Sequence, residues 1–233
     1  MWWSFNHFLI IAHAVMASIR HVQGIVRRFA TKATGTPFFS TPSKATHASF
    51  LEVPSKIEEI AANSNYVALT KDMIWNNPNF ARPRSDVADD FFLPHIHEPG
   101  KYEAMQVYGH KDKTHAVAWV HFGRQLGGPK DFTHGGCIAT VFDELFITTM
   151  IWTANRVGFT GTMTVNYRRL LISGSSALFY IDLEKNEGRK VSLLPHNTSV
   201  ICGLFQVILK ATLQDNDGVE YSNATAVFVT PVH

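Results

Sequence analysis

The stretch FTHGGCIATVFDE, residues 132–144, decides the fold of this chain. Apolar residues follow its two glycines at helical spacing, at Ile138, Val141 and Leu145, and no proline interrupts the pattern before Asn155. The spacing predicts a long helix, and because this helix is apolar nearly all round, we expect it to be buried. A buried helix that begins at two glycines offers backbone N–H groups and the positive end of its dipole to an anion or a developing oxyanion.

An acid inside such a helix must be paired, hydrated or functional, and Asp143 is that acid. His134 lies nine positions earlier, which is about half a turn out of phase and about 13 Å away along the helix axis. One helix cannot easily bring both side chains to one reacting atom. Two antiparallel copies could, because the glycine end of one would lie beside the acid of the other. The spacing therefore predicts a dimer with shared sites.

The motif HGG at residues 134–136, followed by Asp143 and by TGTMTVNY at residues 160–167, resembles the hotdog-fold acyl-CoA thioesterases of the PaaI and carboxyl-terminal-modulator-protein type. The resemblance covers about residues 103–230. It implies an α+β hotdog fold, in which an antiparallel sheet wraps a long helix. It also implies a homodimer or dimer of dimers with sites between subunits, and hydrolysis of acyl-CoA without a metal or organic cofactor.

The resemblance and the chemistry of a thioester assign the site residues. Asp143 is the predicted catalytic carboxylate, either as a general base for water or as a nucleophile that forms an anhydride. Gly136 is the predicted N–H donor to the oxyanion, and Gly135 lets substrate approach the backbone closely. His134 either positions the thioester carbonyl or holds the loop. Thr160 matches a hydroxyl position that in the family orients the water or the carboxylate.

Other residues near the motif have weaker assignments. Arg168 and Arg169 are expected either to meet CoA phosphates or to form a solvated rim. Cys137 would have a lowered pKa in the first helical turn, although a small buried packing residue is the default interpretation. Gly128 stands where some related thioesterases carry Asn or Gln, six residues before the histidine.

Composition excludes some classes of function. The net charge of +2 gives no global sign of nucleic-acid binding, and two cysteines make neither a disulfide framework nor a zinc motif. Residues 1–50 contain no acid and carry an amphipathic basic pattern, which predicts a mitochondrial presequence with a linker, or alternatively a disordered basic tail. The apolar stretch Trp2–Ala17 is too short and too polar for a confident membrane span.

The remaining chain divides into two parts. Residues 51–100 are a predicted helical and irregular extension, with helices over Pro54–Asn63 and Tyr66–Trp75. Residues 101–233 form the predicted hotdog domain, with five strands around one helix and no βαβ alternation. A proline-rich loop carries His95, His97 and Glu98, which a minority interpretation makes metal ligands and the default makes solvated.

The segment Ser192–Gln206 departs from the family pattern. We expect Gly188–Val191 to continue into Val207–Leu213 as one strand, so that these fifteen residues are either an atypical insertion or a coding-sequence error. Deleting them is expected to leave a soluble protein.

The function that these patterns favour is hydrolysis of fatty acyl-CoA to free fatty acid and CoA in the mitochondrion. The alternative is a non-catalytic acyl-CoA-binding or regulatory hotdog dimer, because a fold can outlive its chemistry. An intact Asp143 favours the enzyme. A hotdog hydratase is disfavoured because no matching Asp/His pair is found.

Overall fold

A computed structural model describes residues 51–70, 73–74, 92–192 and 201–231 of the chain. The predicted presequence and linker in residues 1–50 lie outside these ranges.

The described residues form two helices and seven strands. These are α1 (Ser55–Ala62), β1 (Tyr66–Ala68), β2 (Tyr102–His110), β3 (His115–Phe122), α2 (Gly135–Ala154), β4 (Phe159–Tyr167), β5 (Ser175–Ser192), β6 (Ile201–Gln214) and β7 (Glu220–Pro231). All strands belong to one antiparallel sheet in the order β1-β2-β3-β5-β6-β7-β4. One long helix against one antiparallel sheet confirms the α+β class and the hotdog architecture.

Helix α2 is the core of the molecule, as its sequence predicts. Phe142, Leu145 and Phe146 are fully buried, and each such side chain contributes roughly 1.5–3 kcal/mol by leaving water. The ring of Phe142 packs edge-on against Phe179 of β5 at 5.1 Å between centroids. By length and composition α2 could also cross a membrane, as buried core helices often can.

Helix α1 of the extension packs on the opposite face of the sheet, whereas Leu69, Ile74 and Phe92 join the core around α2. Helix α1 is confirmed, and its Ile57 and Ile60 are buried against a cluster that includes Val117 and Trp119 of β3. The second predicted helix, over Tyr66–Trp75, is wrong at its start.

That start is strand β1, in which Tyr66 pairs with His110 of β2. The physical reason is the open edge of β2, whose unpaired N–H and C=O groups accept a short segment of β-favouring Tyr and Val.

The register of β5 and β6 corrects a second expectation. Gly188–Val191 and Val207–Leu213 do not form one strand, because Gly188 pairs with Phe205 and Asn186 pairs with Val207 on an antiparallel neighbour. The chain reverses between Ser192 and Ile201. The sheet therefore has seven strands instead of five, through this reversal and the addition of β1.

We predict that deleting residues 192–206 leaves a folded protein. Asn186 and Val207 are already partners, so residues 187–191 would close the hairpin as a five-residue loop that contains Gly188. The losses are the six outer β5–β6 ladder pairs, a few ladder pairs to β7 and the stacking of Arg156 on Phe205. The melting temperature, measured by circular dichroism, should stay within about 4 °C of the full chain, or roughly 1 kcal/mol.

Phe205→Ala in the full chain is the matched control, because it removes the ring that lies against Arg156 and Gly188 but keeps the strand pairing. An insoluble deletion variant, or one that melts far below this control, would show that the long β5–β6 hairpin is required for folding.

Candidate active site

The first turn of α2 is capped by His134. Its backbone carbonyl accepts the N–H of Cys137 at 2.9 Å, and its imidazole Nδ1 accepts the N–H of Gly136 at 3.0 Å. A backbone N–H can only donate, so Nδ1 is the acceptor and the neutral ring carries its proton on Nε2. This corrects one expectation, since the Gly136 N–H already has a partner within its own chain. His134 Nε2–H and the Gly135 N–H form no hydrogen bond with the described residues.

Tyr167 supports the same turn from β4. Its hydroxyl donates to the carbonyl oxygen of Gly135 at 2.7 Å, and burial raises the pKa of the phenol, which keeps it a donor at neutral pH. A Cβ on Gly135 would lie 3.2 Å from the Tyr167 ring, so the glycine permits this close contact. The sequence analysis treats Tyr167 only as a motif position and does not predict its hydrogen bond to Gly135. Its place in the motif was the one sign that it belongs to the site.

Asp143 lies two turns further along α2 and is half-buried. The hydroxyl of Thr160 donates to Asp143 Oδ1 at 2.7 Å, the distance of a charge-assisted hydrogen bond. This contact fixes one carboxylate oxygen and leaves the other for a water or a reacting atom. The structure therefore joins two of the predicted site residues directly.

A β-bulge makes that contact possible. Simple alternation would put Thr160 on the opposite face of β4 from Met163 and Val165. In the structure Thr160 pairs with Phe228 but Thr162 pairs with Val227, so the strand carries one extra residue at Gly161. Thr160 consequently faces the helix, on the same side of the strand as Met163 and Val165.

The predicted CoA contacts lie just after β4. Arg168 Nε pairs with Glu220 Oε1 at 2.8 Å, and Arg169 Nη1 donates to the Glu220 carbonyl at 3.4 Å. Both arginines are exposed. Because Tyr167 reaches Gly135, the arginines follow the point where β4 meets the start of α2. A phosphate there would compete with Glu220 for Arg168.

Cys137 and Gly128 complete the comparison with sequence. Cys137 is half-buried and packs against the core, and the neighbouring His134 Nδ1 accepts the Gly136 N–H. This agrees with its default interpretation. A Cβ on Gly128 would lie 3.5 Å from His134 Cα. The position where some related thioesterases carry Asn or Gln is therefore adjacent to the imidazole.

Within one chain, the structure brings His134, Gly135 and Gly136 together at one end of α2, and Asp143 with Thr160 at another point. It does not bring these two groups together, because nine helical residues separate His134 from Asp143, about 13 Å.

The chain was compared with family models, curated proteins and solved structures. No family model matches the chain. It is 34% identical over 85 residues to acyl-coenzyme A thioesterase THEM4 of Xenopus laevis, which covers 36% of this chain and 38% of that relative. It is 24% identical over 187 residues to acyl-coenzyme A thioesterase THEM5 of Mus musculus, covering 77% of this chain and 75% of that one. The first match thus spans well under half of the relative's length.

Among solved structures, zebrafish thioesterase superfamily member 2 is 15% identical, with a TM-score of 0.47, over 62% of this chain and 90% of that one. A hypothetical thioesterase of Streptococcus pneumoniae, solved with coenzyme A, is 17% identical with a TM-score of 0.45, over 56% and 88%.

The sheet wrapped on α2 defines a hotdog-fold protein. Both curated relatives are named acyl-coenzyme A thioesterases, which agrees with the resemblance that the HGG motif and Asp143 carry.

We predict that the Thr160 hydroxyl stabilises the fold through Asp143. Thr160→Val removes a hydrogen bond to a charged group, which should cost about 1–2 kcal/mol in the free energy of unfolding. Thr160→Ser should recover most of it. Thr162→Val, at an exposed position of the same strand, is the matched control and should change stability by less than about 0.5 kcal/mol. Equal urea midpoints for both valine variants would contradict the contact.

Proposed function

We propose that this protein is an acyl-CoA thioesterase that hydrolyses fatty acyl-CoA to free fatty acid and CoA. The observation that carries the proposal is the half-buried Asp143, held at 2.7 Å by Thr160 on the core helix. The names of the two curated relatives support the same activity. The sequence motif, HGG at residues 134–136 followed by Asp143, supports the proposal independently of these names.

Asp143 would supply the attacking group. As a general base, its free oxygen takes a proton from water while the water oxygen attacks the thioester carbon. As a nucleophile, the carboxylate oxygen attacks that carbon itself, and water then hydrolyses the anhydride. In both routes the carbon–sulfur bond breaks and CoA leaves as a thiolate that takes up a proton. Thr160 orients the carboxylate in either case.

The oxyanion would be held at the start of α2. Since the Gly136 N–H donates to His134, the donors that this turn offers to a carbonyl oxygen are the Gly135 N–H and His134 Nε2–H. The helix dipole adds positive potential at the same place. Gly136 then acts indirectly, because its hydrogen bond sets the orientation and tautomer of the imidazole.

We further propose that the site is shared by two chains in a homodimer. Strand β4 ends the sheet, so one of its edges has no partner strand among the described residues. Apolar side chains are exposed along and just after it, with Phe159 at 59%, Tyr167 at 51% and Leu170 at 67%. An unpaired strand edge with exposed apolar residues is a surface suited to a second copy.

Two-fold pairing at this surface would place the two α2 helices antiparallel, with the glycine start of one beside Asp143 of the other. Both sites of the dimer would then be completed at once, because an isologous interface repeats each contact. In this arrangement His134 of one chain and Asp143 of the other would lie close together, although about 13 Å separates them within one chain.

Mitochondrial localisation is proposed from the acid-free, basic composition of residues 1–50. A fluorescent protein fused behind these residues should enter mitochondria, and a diffuse signal would contradict the proposal.

We predict that Asp143→Asn abolishes hydrolysis but keeps the fold and acyl-CoA binding. The loss should be at least about 10²-fold in kcat, because the amide can neither accept a proton nor attack. Thiol release from acyl-CoAs of several chain lengths measures the reaction, and calorimetry measures binding. Glu144→Gln, which alters the neighbouring acid on the helix, is the control and should stay active.

Two outcomes would contradict this assignment. Activity that survives in Asp143→Asn removes the proposed role of the carboxylate. Tight binding of acyl-CoA by the unaltered protein without release of CoA would instead support a non-catalytic binding or regulatory dimer, a function that Gly128 in place of the amide residue also favours.

We predict that two inactive chains complement each other. Asp143→Asn keeps an intact helix start, and Gly136→Val keeps Asp143 but brings a Cβ to 3.0 Å from His134 Nδ1. After joint refolding, half of the dimers should be mixed with one intact site, which gives about a quarter of the wild-type activity. The control partner is the Asp143→Asn, Gly136→Val double variant, whose mixed dimers contain no intact site. Verified mixed dimers without activity would place the whole reaction within one chain.

A further inference from the structure

A cluster of three potential metal ligands lies at the turn between β2 and β3, away from the candidate active site. His110 is the last residue of β2, His115 is the first of β3, and Asp112 lies in the turn between them. One ligand atom from each residue lies within 4.8 Å of the others. The two imidazoles are stacked, with centroids 4.5 Å apart and 17° between their planes.

The ligand atoms lie around the hydroxyl of Thr114, whose Oγ1 is 2.7 Å from both Asp112 Oδ1 and His115 Nδ1. His110 Nδ1 lies 2.7 Å and His115 Nδ1 lies 4.0 Å from Asp112 Oδ1. The carboxylate is itself oriented, because Thr114 donates to this oxygen through its hydroxyl at 2.7 Å and its N–H at 3.0 Å. The carboxylate is about half exposed, so solvent molecules could complete a coordination sphere.

The opposite nitrogen of His115 has a fixed partner. Its Nε2 lies 2.9 Å from the hydroxyl of Tyr66, which belongs to the neighbouring strand β1. If Nδ1 coordinates a cation, Nε2 carries the proton and donates to the Tyr66 oxygen. A second hydrogen bond of this kind is what orients histidine ligands in metal sites.

No lysine among the described residues takes the place of the cation. The ammonium of Lys113 lies over the indole of Trp152, 2.7 Å from the ring centroid, and not beside Asp112. The indole N–H in turn donates to the His110 carbonyl at 2.9 Å, which anchors the end of β2. The ligand residues are therefore held by Trp152 of helix α2, Tyr66 of strand β1 and Thr114 of the turn.

A second His–carboxylate pair in the protein lacks this arrangement. His95 Nδ1 lies 2.8 Å from Glu98 Oε2, but Lys101 Nζ lies 3.0 Å from the same oxygen and supplies the positive charge. His97, which sequence reasoning grouped with them, directs its Nδ1 to the Glu103 carbonyl. This loop provides a control, because its His–carboxylate pair already has a cation.

We propose that His110, Asp112 and His115 bind one divalent transition-metal ion of the Zn²⁺ class, with Tyr66 positioning His115. Two imidazoles and one carboxylate suit zinc and its neighbours, whereas Mg²⁺ and Ca²⁺ prefer sites of oxygen ligands. The proposal does not depend on the proposed hydrolysis. The site adjoins Trp152, nine residues beyond Asp143 on α2 or about 13 Å along the axis, so the ion would not touch the reacting atoms.

Zinc titration of the purified full chain, freed of metal by a chelator that is then removed, tests this site. Calorimetry should show one ion per chain at the tightest step, and zinc should raise the melting temperature because it binds only the folded hairpin. His110→Gln, Asp112→Asn and His115→Gln should each weaken the tightest step at least about tenfold. Millimolar Mg²⁺ should not compete.

Two further variants separate a built site from casual binding by surface histidines. Tyr66→Phe keeps the ring but removes the hydroxyl, and should weaken zinc binding about tenfold without removing any ligand. His95→Gln should leave binding within about twofold, since Lys101 already occupies that cluster. Melting curves without zinc verify that each variant is folded. The proposal would be overturned if zinc caused no shift of the melting temperature in the full chain. It would also be overturned if the three ligand variants bound zinc as tightly as the unaltered chain.

Discussion

The burial of one apolar helix is the constraint on which this structure depends. Helix α2 has no polar face wide enough for solvent, so the sheet must cover most of it, as the contact of Phe142 with Phe179 illustrates. The stripe that stays partly accessible includes Gly136, Thr140 and Asp143. The proposed site lies on this stripe, whereas the buried residues of the helix pack against the sheet.

Two polar groups of the candidate site are held from outside the helix. Thr160 holds Asp143, and Tyr167 holds the carbonyl of Gly135, so both contacts come from strand β4. This strand is also the free end of the sheet. Orientation of the acid, support of the helix start and the proposed dimer surface thus depend on one strand. A change in the position of β4 would alter all three.

Several parts of the fold follow from local patterns. The 3.6-residue spacing, the glycines at the start and Asn155 in a left-handed conformation at the end give α2 nearly its observed limits. The final hairpin follows from Asp215–Gly218, where Gly218 takes a positive φ of 80°. The first part of the sheet follows from alternation in β2 and β3. Such signals act within a few residues and can be recognised without the rest of the chain.

The sequence by itself determined the buried helix, its glycine start, the position of Asp143 on it and the antiparallel strands around them. Only the tertiary structure decided which distant residues meet. The bulge at Gly161 turns Thr160 toward Asp143, and the reversal before β6 sets Val207 beside Asn186. The physical reason is that strand register depends on pairing with a neighbour, and a shift of one residue exchanges the two faces of a strand.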